Sequence, residues 1–253
     1  MIFDLDGVLW HGTVAIPGAA EAVNQLAHDG HHVLFATNNS AATVAAQETK
    51  LASFGIDASG RILSSAMAAA SLVEDGERVF VMGGPGIVEA IAERGAVSVP
   101  LTPADAGPPQ LDAVIVGLDV DVSYDRLRMA GSAIRNGARF IGTNHDPTYP
   151  TEHGLSVGGG ALVAAVQTAA EVEPIFAGKP NEPMARLAIR RLGADALMIG
   201  DRDDTDGDFA RTAGYRFGLV LSGVTTQAEA ARLNPAPDYV AADVPELLSM
   251  VLG

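Results

Sequence analysis

The sequence predicts an α/β protein in which a parallel sheet with helices on both faces is interrupted by a second, smaller α/β unit. Short apolar runs typical of buried strands alternate with longer segments typical of helices. This alternation restarts near residue 76 and again near residue 174, and a Pro-rich connector, 100–109, lies in the middle part. Hydrophobic residues make up 48% of the 253 residues, which is enough for a substantial core.

The first part of the chain is predicted to alternate strands and helices from its first residue. Pro17 and Gly18 suit the start of a helix over residues 19–28. Ser40 is a suitable N-cap for an Ala-rich helix that runs to about residue 54. The strands of this part are predicted at 1–3, 31–36 and 62–63, and a third helix at about 64–74.

The later parts repeat the alternation and define the predicted domains. In the middle part we predict strands at 78–82, 113–118 and 139–142, helices at 87–94, 124–136 and 161–170, and an irregular loop at 143–160. In the last part we predict strands at 174–177, 196–199, 217–221 and 238–240, and helices at 182–192, 206–212, 225–233 and 246–252. We therefore assign residues 1–75 and 173–253 to one discontinuous core domain, and residues 76–172 to an inserted domain.

Charge and composition exclude several classes of protein. The net charge is −15 and the only lysines are Lys50 and Lys179, which disfavours binding to nucleic acid or to anionic membranes. The absence of cysteine excludes disulfides, thiolate metal sites and thiol nucleophiles. No signal peptide is visible, and no apolar run reaches the roughly 20 residues of a membrane helix. We expect a cytoplasmic protein with no nucleic-acid or membrane partner.

Two acids follow the first apolar run. Asp4 and Asp6 are two residues apart, so on a strand their carboxylates point to the same side, and Gly7 lets the backbone turn away. Two carboxylates this close repel each other unless a cation or a shared proton relieves them. Mg²⁺ prefers oxygen ligands and would relieve this repulsion. The alternative is a strand that ends in a solvated acidic turn.

Polar side chains follow four of the predicted strands. Asp4 and Asp6 follow the first, Thr37 the second, Lys179 the strand at 174–177, and Asp201 the strand at 196–199. In an open parallel sheet, ligands bind in the crevice beyond the carboxyl ends of the strands. If these strands are neighbours, three acids, a hydroxyl and a cation converge at one edge of the sheet.

These segments resemble the four motifs of the haloacid dehalogenase-like (HAD) phosphatase superfamily, in order. The motifs stand here as Asp4-Leu5-Asp6-Gly7, Thr37-Asn38-Asn39, Gly178-Lys179-Pro180, and Gly200-Asp201 with the acidic run to Asp206. The inserted domain is similar to a type-II cap. Further segments resemble the NagD-like, or p-nitrophenylphosphatase-like, branch (subclass IIA): 16–19, 143–146 with Pro150, 158–160 and 222–226. The resemblance implies a Rossmann-like doubly wound core and a Mg²⁺-dependent phosphatase.

The resemblance also implies a role for each motif residue. Asp4 would attack phosphorus and form an aspartyl-phosphate. Asp6 would protonate the leaving alcohol and then deprotonate the attacking water. The Asp4 carboxylate, the Asp6 backbone carbonyl and Asp201 would hold Mg²⁺. Lys179 would offset the negative charge and orient Asp4.

Other residues are expected to bind the phosphoryl group or to support the site. Thr37, Asn38 and the backbone at Asn39 would bind the phosphoryl oxygens, although Thr37 has the alternative role of capping the following helix. Asp206 would hold Lys179 or a metal-bound water from behind, and Asp204 is a further candidate for such support.

The cap would read the leaving group through residues 144–149, with Asp146, Thr148 and Tyr149 as candidate readers. This loop carries no arginine, and His145 and His153 would compensate in part. The predicted substrates are small phosphate monoesters: polyol, sugar, glycolate, pyridoxal or nucleoside phosphates, with a preference for polyol or sugar phosphates. A homodimer through the cap is compatible with this reading.

Competing functions remain open from the sequence. A phosphotransferase or mutase would use the same core, and a non-catalytic Mg²⁺- and phosphate-binding sensor would keep part of it. A dehalogenase would not need the acid at Asp6. Three residues depart from the branch pattern, namely Asn181, Asp203 and Gly207. We expect them to alter helix starts without removing activity.

Overall fold

The structure is a computed structural model that describes residues 1–100, 110–151 and 154–253. Its first segment contains β1 (Ile2–Phe3), β2 (Trp10–His11), β3 (Val14–Ala15), α1 (Ala19–His28), β4 (Leu34–Thr37), α2 (Val44–Ser53) and β5 (Ile62–Ser64). The predicted cap at Ser40 is wrong, because α2 begins only at Val44. The buried Ser40 hydroxyl instead lies 3.1 Å from the hydroxyl of Thr143.

The second segment begins with α3 (Ser65–Ala70), β6 (Arg78–Met82), α4 (Pro85–Glu93), β7 (Val97–Ser98), β8 (Ala113–Val116), α5 (Tyr124–Arg135), β9 (Arg139–Gly142), β10 (Thr148–Thr151), β11 (Gly154–Val157), α6 (Gly159–Ala170) and β12 (Ile175–Phe176). The irregular loop predicted at 143–160 is wrong in part, because β10 and β11 form an antiparallel hairpin inside it. Residues 101–109 of the predicted connector and His153 lie outside the described residues.

The last segment contains α7 (Glu182–Leu192), β13 (Leu197–Gly200), a π-helical turn (Asp203–Gly207), α8 (Asp208–Ala213), β14 (Arg216–Val220), α9 (Gln227–Ala230), β15 (Tyr239–Ala241) and α10 (Val244–Leu252). The π-helical turn delays the helix that was predicted to begin at residue 206. A Cβ at Gly207 would overlap the Asp203 carboxylate, so this glycine makes room for the acid. Two of the three departures from the branch pattern, Asp203 and Gly207, are therefore coupled.

The strands form two main sheets and two small hairpins. The first sheet has the order β15-β14-β13-β1-β4-β5, and β1 pairs in parallel with both β13 and β4. The second has the order β12-β9-β8-β6-β7, also with parallel pairs. The predicted position of the strand before Lys179 is wrong: Ile175 pairs with Ile141 of β9, so β12 belongs to the second sheet.

The described chain divides into two compact units, each with its own hydrophobic core. The first contains Met1–Thr37, Val44–Leu63 and Lys179–Gly253, and the second contains Asn38–Thr43 and Ser64–Gly178. Phe3, Trp10 and Phe35 lie in the first core, and Phe80 and Phe140 in the second. Residues 38–43, 64–75 and 173–178, which the sequence predicts as part of the core domain, lie in the second unit. Among the described residues, no helix is long and apolar enough to cross a membrane.

Candidate active site

Three polar strand ends meet at one edge of the first sheet, as the sequence predicts. The central strand β1 has β13 on one side and β4 on the other, with Phe3 opposite Ile199 and Phe35. Asp4 follows β1, and its backbone N–H donates to the Ile199 carbonyl at 2.9 Å. Asp201 follows β13, and Thr37 ends β4. Parallel pairing in this register brings the carboxyl ends of the three strands to the same edge.

Lys179 joins this edge although the strand before it lies in the other sheet. Its Nζ donates to Asp4 Oδ1 at 2.6 Å and to Asp206 Oδ1 at 2.7 Å. The Lys179 and Asp206 side chains are only 3% and 1% exposed, and Asp4 is 18% exposed. Burial alone would lower the pKa of Lys179, but the charges of Asp206 and Asp4 more than offset it and raise that pKa. The ammonium therefore stays charged and orients the Asp4 carboxylate.

Three carboxylates crowd around this single ammonium. Asp4, Asp201 and Asp206 each place one carboxylate oxygen within 4.8 Å of the others. Burial, together with the charge of Asp4, raises the pKa of Asp201 to about 6. Burial and the neighbouring acids likewise raise the pKa of Asp206, against the opposing effect of Lys179. One ammonium cannot balance three ionised acids, and an all-oxygen donor set of this charge fits Mg²⁺.

The segment after β14 fixes the position of Asp201. The backbone N–H of Val224 donates to Asp201 Oδ2 at 2.7 Å, and the Ser222 hydroxyl donates to the Gly7 carbonyl at 2.8 Å. A Cβ at Gly7 or at Gly223 would overlap the Asp201 carboxylate, and Gly7 also has a φ of +80°. Both glycines therefore allow the backbone to approach this acid closely. Residues 222–226 were recognisable in the sequence only by family resemblance, and their contact with Asp201 was not predicted.

Asp6 has different surroundings from Asp4. Within the described part of the chain, its carboxylate is not a member of the three-acid cluster. Instead Trp10 Nε1 donates to Asp6 Oδ1 at 2.8 Å, and Lys50 Nζ lies 3.9 Å from the same oxygen. The Asp6 side chain is 57% exposed. Sequence reasoning missed both partners, because Trp10 reaches Asp6 through the turn closed by the Gly7 N–H and the Trp10 carbonyl, and Lys50 reaches it from α2.

In the second unit, two predicted substrate-binding residues contact each other. Asn38 Nδ2 donates to Asp146 Oδ2 at 3.1 Å. Asn144 Nδ2 donates to the Asn38 carbonyl at 2.7 Å, and Asn144 Oδ1 accepts from the Asp146 backbone N–H at 3.2 Å. The Ser65 hydroxyl also donates to the Asn38 carbonyl. Asn144 was quoted as part of a motif, but its role as the link between these residues was not predicted.

The remaining predicted site residues lie in varied settings. The Asn39 carboxamide oxygen accepts from two backbone N–H groups of the following loop. Asp204 is 70% exposed, and its carboxylate binds the Arg202 guanidinium rather than joining the acid cluster. Thr148 is exposed and Tyr149 half-buried, both on the hairpin strand β10. The roles predicted for these residues stay predictions.

Comparisons with known proteins agree with the geometry of the site. The sequence matches two family models, one described as haloacid dehalogenase-like hydrolase over residues 1–97 and one described as HAD-hydrolase-like over residues 176–247. The 5'-nucleotidase YutF of Bacillus subtilis is 38% identical over 231 residues, which cover 88% of this chain and 87% of that protein. The chain belongs to the haloacid dehalogenase-like hydrolase family.

Similarity to solved structures identifies the branch of the family to which the HAD chain belongs. It is similar to the glycerol phosphate phosphatase Rv1692 of Mycobacterium tuberculosis in complex with magnesium, with a TM-score of 0.87 and 33% identity over 97% of this chain and 75% of that one. It is also similar to NagD of Escherichia coli, with a TM-score of 0.87 and 29% identity over 97% of this chain and 96% of that one. The predicted NagD-like branch and doubly wound α/β core with a cap are confirmed.

These findings also fix the enzyme class. The HAD chain is a phosphoric monoester hydrolase, as predicted. Mg²⁺ as its cofactor is confirmed by the family and by the carboxylate cluster.

Proposed function

We propose that this HAD phosphatase requires Mg²⁺ and hydrolyses small phosphate monoesters through an aspartyl-phosphate on Asp4. The contact of Lys179 with both Asp4 and Asp206, inside the three-acid cluster, is the observation that carries this proposal. It fixes one carboxylate at the centre of the strand edge and leaves a net negative charge around it. A nucleophile and a cation site are both expected from such an arrangement.

The reaction divides into two displacements at phosphorus. In the first, a bond forms between the Asp4 carboxylate and phosphorus while the bond to the leaving oxygen breaks, and Asp6 gives that oxygen its proton. In the second, Asp6 takes a proton from water as the water oxygen attacks phosphorus, which frees phosphate and regenerates Asp4. The division is useful because uncatalysed phosphate monoester hydrolysis is among the slowest of biological reactions.

Each residue around Asp4 has a separate task in this scheme. Asp4, Asp201 and the Asp6 backbone carbonyl would hold Mg²⁺, which when bound offsets the repulsion between the carboxylate and the phosphate dianion. Asp206 keeps Lys179 in place through the 2.7 Å hydrogen bond. Thr37, together with Asn38 and Asn39, would bind the phosphoryl oxygens.

The inserted domain, residues 76–172, is proposed to act as the cap that reads the leaving group. Asp146, Thr148 and Tyr149 are its candidate readers, and the hydrogen bond from Asn38 ties Asp146 to the phosphate-binding segment. We propose small polyol or sugar phosphates as the substrate class, because residues 144–149 carry no arginine to bind a second anionic group. The glycerol phosphate phosphatase Rv1692 supports a polyol phosphate, and the 5'-nucleotidase YutF keeps nucleoside monophosphates in the panel.

Phosphate release tests the proposal directly. Release from p-nitrophenyl phosphate is measured with and without Mg²⁺ for the native chain and for Asp4→Asn. We expect Mg²⁺-dependent release that falls by several orders of magnitude in the variant. The kcat/KM values for glycerol phosphate, sugar phosphates and nucleoside monophosphates then rank the substrates. Equal release by Asp4→Asn would refute the covalent scheme, and transfer of phosphate to an added sugar in place of water would favour a phosphotransferase.

A further inference from the structure

Each of the two lysines of the chain lies beside one of the two acids of the first motif. Lys179 contacts Asp4 at 2.6 Å, and Lys50 Nζ lies 3.9 Å from Asp6 Oδ1. Asp6 has a second partner in Trp10, the only tryptophan in the chain. The indole Nε1–H donates to that same Oδ1 at 2.8 Å. A donor and a cation thus converge on one oxygen of the Asp6 carboxylate.

The Trp10 indole is a rigid support for this contact. Trp10 is 1% exposed, and its ring stacks on Phe54 with centroids 4.8 Å apart and planes 14° apart. Its backbone carbonyl accepts from the Gly7 N–H at 2.8 Å. Lys50 Nζ lies 4.4 Å from the centroid of the indole ring, which is within the range of a cation–π contact. The exposed carboxylate of Asp6 is therefore tied to a buried, stacked ring.

We propose that Trp10 and Lys50 are positioning residues for Asp6, which make Oδ2 the oxygen that carries the catalytic proton. An indole N–H only donates, so Oδ1 is engaged as an acceptor, which leaves Oδ2 as the oxygen that exchanges a proton with the leaving group. This inference rests on the proposed function, in which Asp6 is the general acid. As the bond from Asp4 to phosphorus forms and the bond to the leaving oxygen breaks, the proton passes from Oδ2 to that oxygen. In the second step, Oδ2 takes a proton from the attacking water.

A purely structural role would look different in an assay. A buried indole N–H needs a partner for stability alone, and half-exposed ion pairs contribute little to folding. A positioning role must instead have a larger effect on esters whose leaving group needs a proton than on esters whose leaving group departs without one. Phenyl phosphate and p-nitrophenyl phosphate form such a pair, because nitrophenolate departs readily without protonation and phenolate does not.

The experiment compares kcat/KM for the two esters, since this quantity reports the step in which the leaving group departs. Trp10→Phe removes the N–H and keeps an aromatic ring. Phe54→Leu is the matched control, because it disturbs the stacking and keeps the N–H. We expect the ratio of kcat/KM for phenyl phosphate to kcat/KM for p-nitrophenyl phosphate to fall at least about tenfold in Trp10→Phe. It should fall by less in Lys50→Gln and should not fall in Phe54→Leu.

A second replacement covers the case in which Trp10→Phe does not fold. Because Trp10 is the only tryptophan, growth of a tryptophan auxotroph on benzothienylalanine replaces this residue alone with a ring that lacks the N–H. Asp6→Asn separates the two proposals. If it leaves the ratio unchanged, the role of Asp6 in the proposed function fails and the inference fails with it. If Asp6→Asn lowers the ratio but both Trp10 replacements keep the native ratio, only the inference is overturned. The same holds if Phe54→Leu lowers the ratio as much as the Trp10 replacements do.

Discussion

Replacement of Lys179 by methionine is the sharpest test of how the active site is stabilised. The Nζ atom lies 2.6 Å from Asp4 and 2.7 Å from Asp206, and the Lys179 and Asp206 side chains are almost fully buried. Removing one partner of a buried ion pair costs about 3–5 kcal/mol, because the remaining charge is left buried and uncompensated. For a chain of this size the melting temperature should fall by roughly 6–20 °C.

Lys50→Met is the matched control, since it removes the only other lysine of the chain. Its partner Asp6 lies 3.9 Å away and both side chains are about half exposed, at 47% and 57%. Solvent screening limits such a pair to about 1 kcal/mol or less. The two substitutions remove the same charge, but Lys179 is buried between two acids and Lys50 is half exposed beside one. Their difference therefore measures the combined effect of burial and of the second acid.

Trp10 supplies the assay, because the only tryptophan lies in the core of the first unit. Thermal unfolding is followed by its fluorescence at pH 8 without Mg²⁺. Added Mg²⁺ should restore part of the stability of Lys179→Met, and kcat/KM should still fall by about 10²–10³-fold because Asp4 has lost its orienting cation. A fall in melting temperature no larger than that of Lys50→Met would refute the reasoning.

Three further predictions follow from the same contacts. The pKa of Asp201 is raised to about 6 in the native state, so the metal-free protein binds an extra proton there and its stability falls as pH rises through 6. The increase in melting temperature on adding Mg²⁺ should therefore grow from pH 5 to pH 7.5, and an increase that stays constant over this range would contradict the reasoning. Gly7→Ala should lower Mg²⁺ affinity and stability more than Gly12→Ala, because both glycines have a positive φ but only a Cβ at Gly7 overlaps Asp201. Equal losses of Mg²⁺ affinity by titration calorimetry would count against the close approach of the Gly7 backbone to Asp201. Asp146→Ala should raise KM for phosphate esters more than it lowers kcat, because Asn38 loses the hydrogen bond to Asp146, whereas Asp195→Ala, at a residue that is 94% exposed, should change neither constant.

Elements with a strong local pattern were predictable from the sequence. The bounds of α1, α7 and β9 are those that the sequence predicts, because apolar spacing and flanking Pro or Gly residues define them locally. Two-residue strands carry no such period. The hairpin that begins at Trp10 was missed for this reason, although its pairing is local. The sheet to which Ile175–Phe176 belongs was missed because it depends on pairing with the distant strand β9.

The active site was predictable to the extent that its residues follow strands. The contact of Lys179 with Asp4 was expected, and its contact with Asp206 was one of two expected alternatives, although the strand before Lys179 lies in the other sheet. The participation of Asp206 in the acid cluster, and the partners of Asp6, could not be predicted. The first depends on the π-helical turn, and the second on the turn to Trp10 and on the position of α2, and no sequence spacing encodes these arrangements.

Accumulation of the covalent intermediate tests the central claim most directly. Asp6→Asn lacks the base for the second step, whereas p-nitrophenyl phosphate needs no acid for the first. Rapid mixing of this variant with p-nitrophenyl phosphate and Mg²⁺ should therefore release one nitrophenolate per chain in a burst. Peptide mass analysis after acid quenching should then find one phosphoryl group on Asp4. A steady release without a burst, or a phosphoryl group on another residue, would contradict the account.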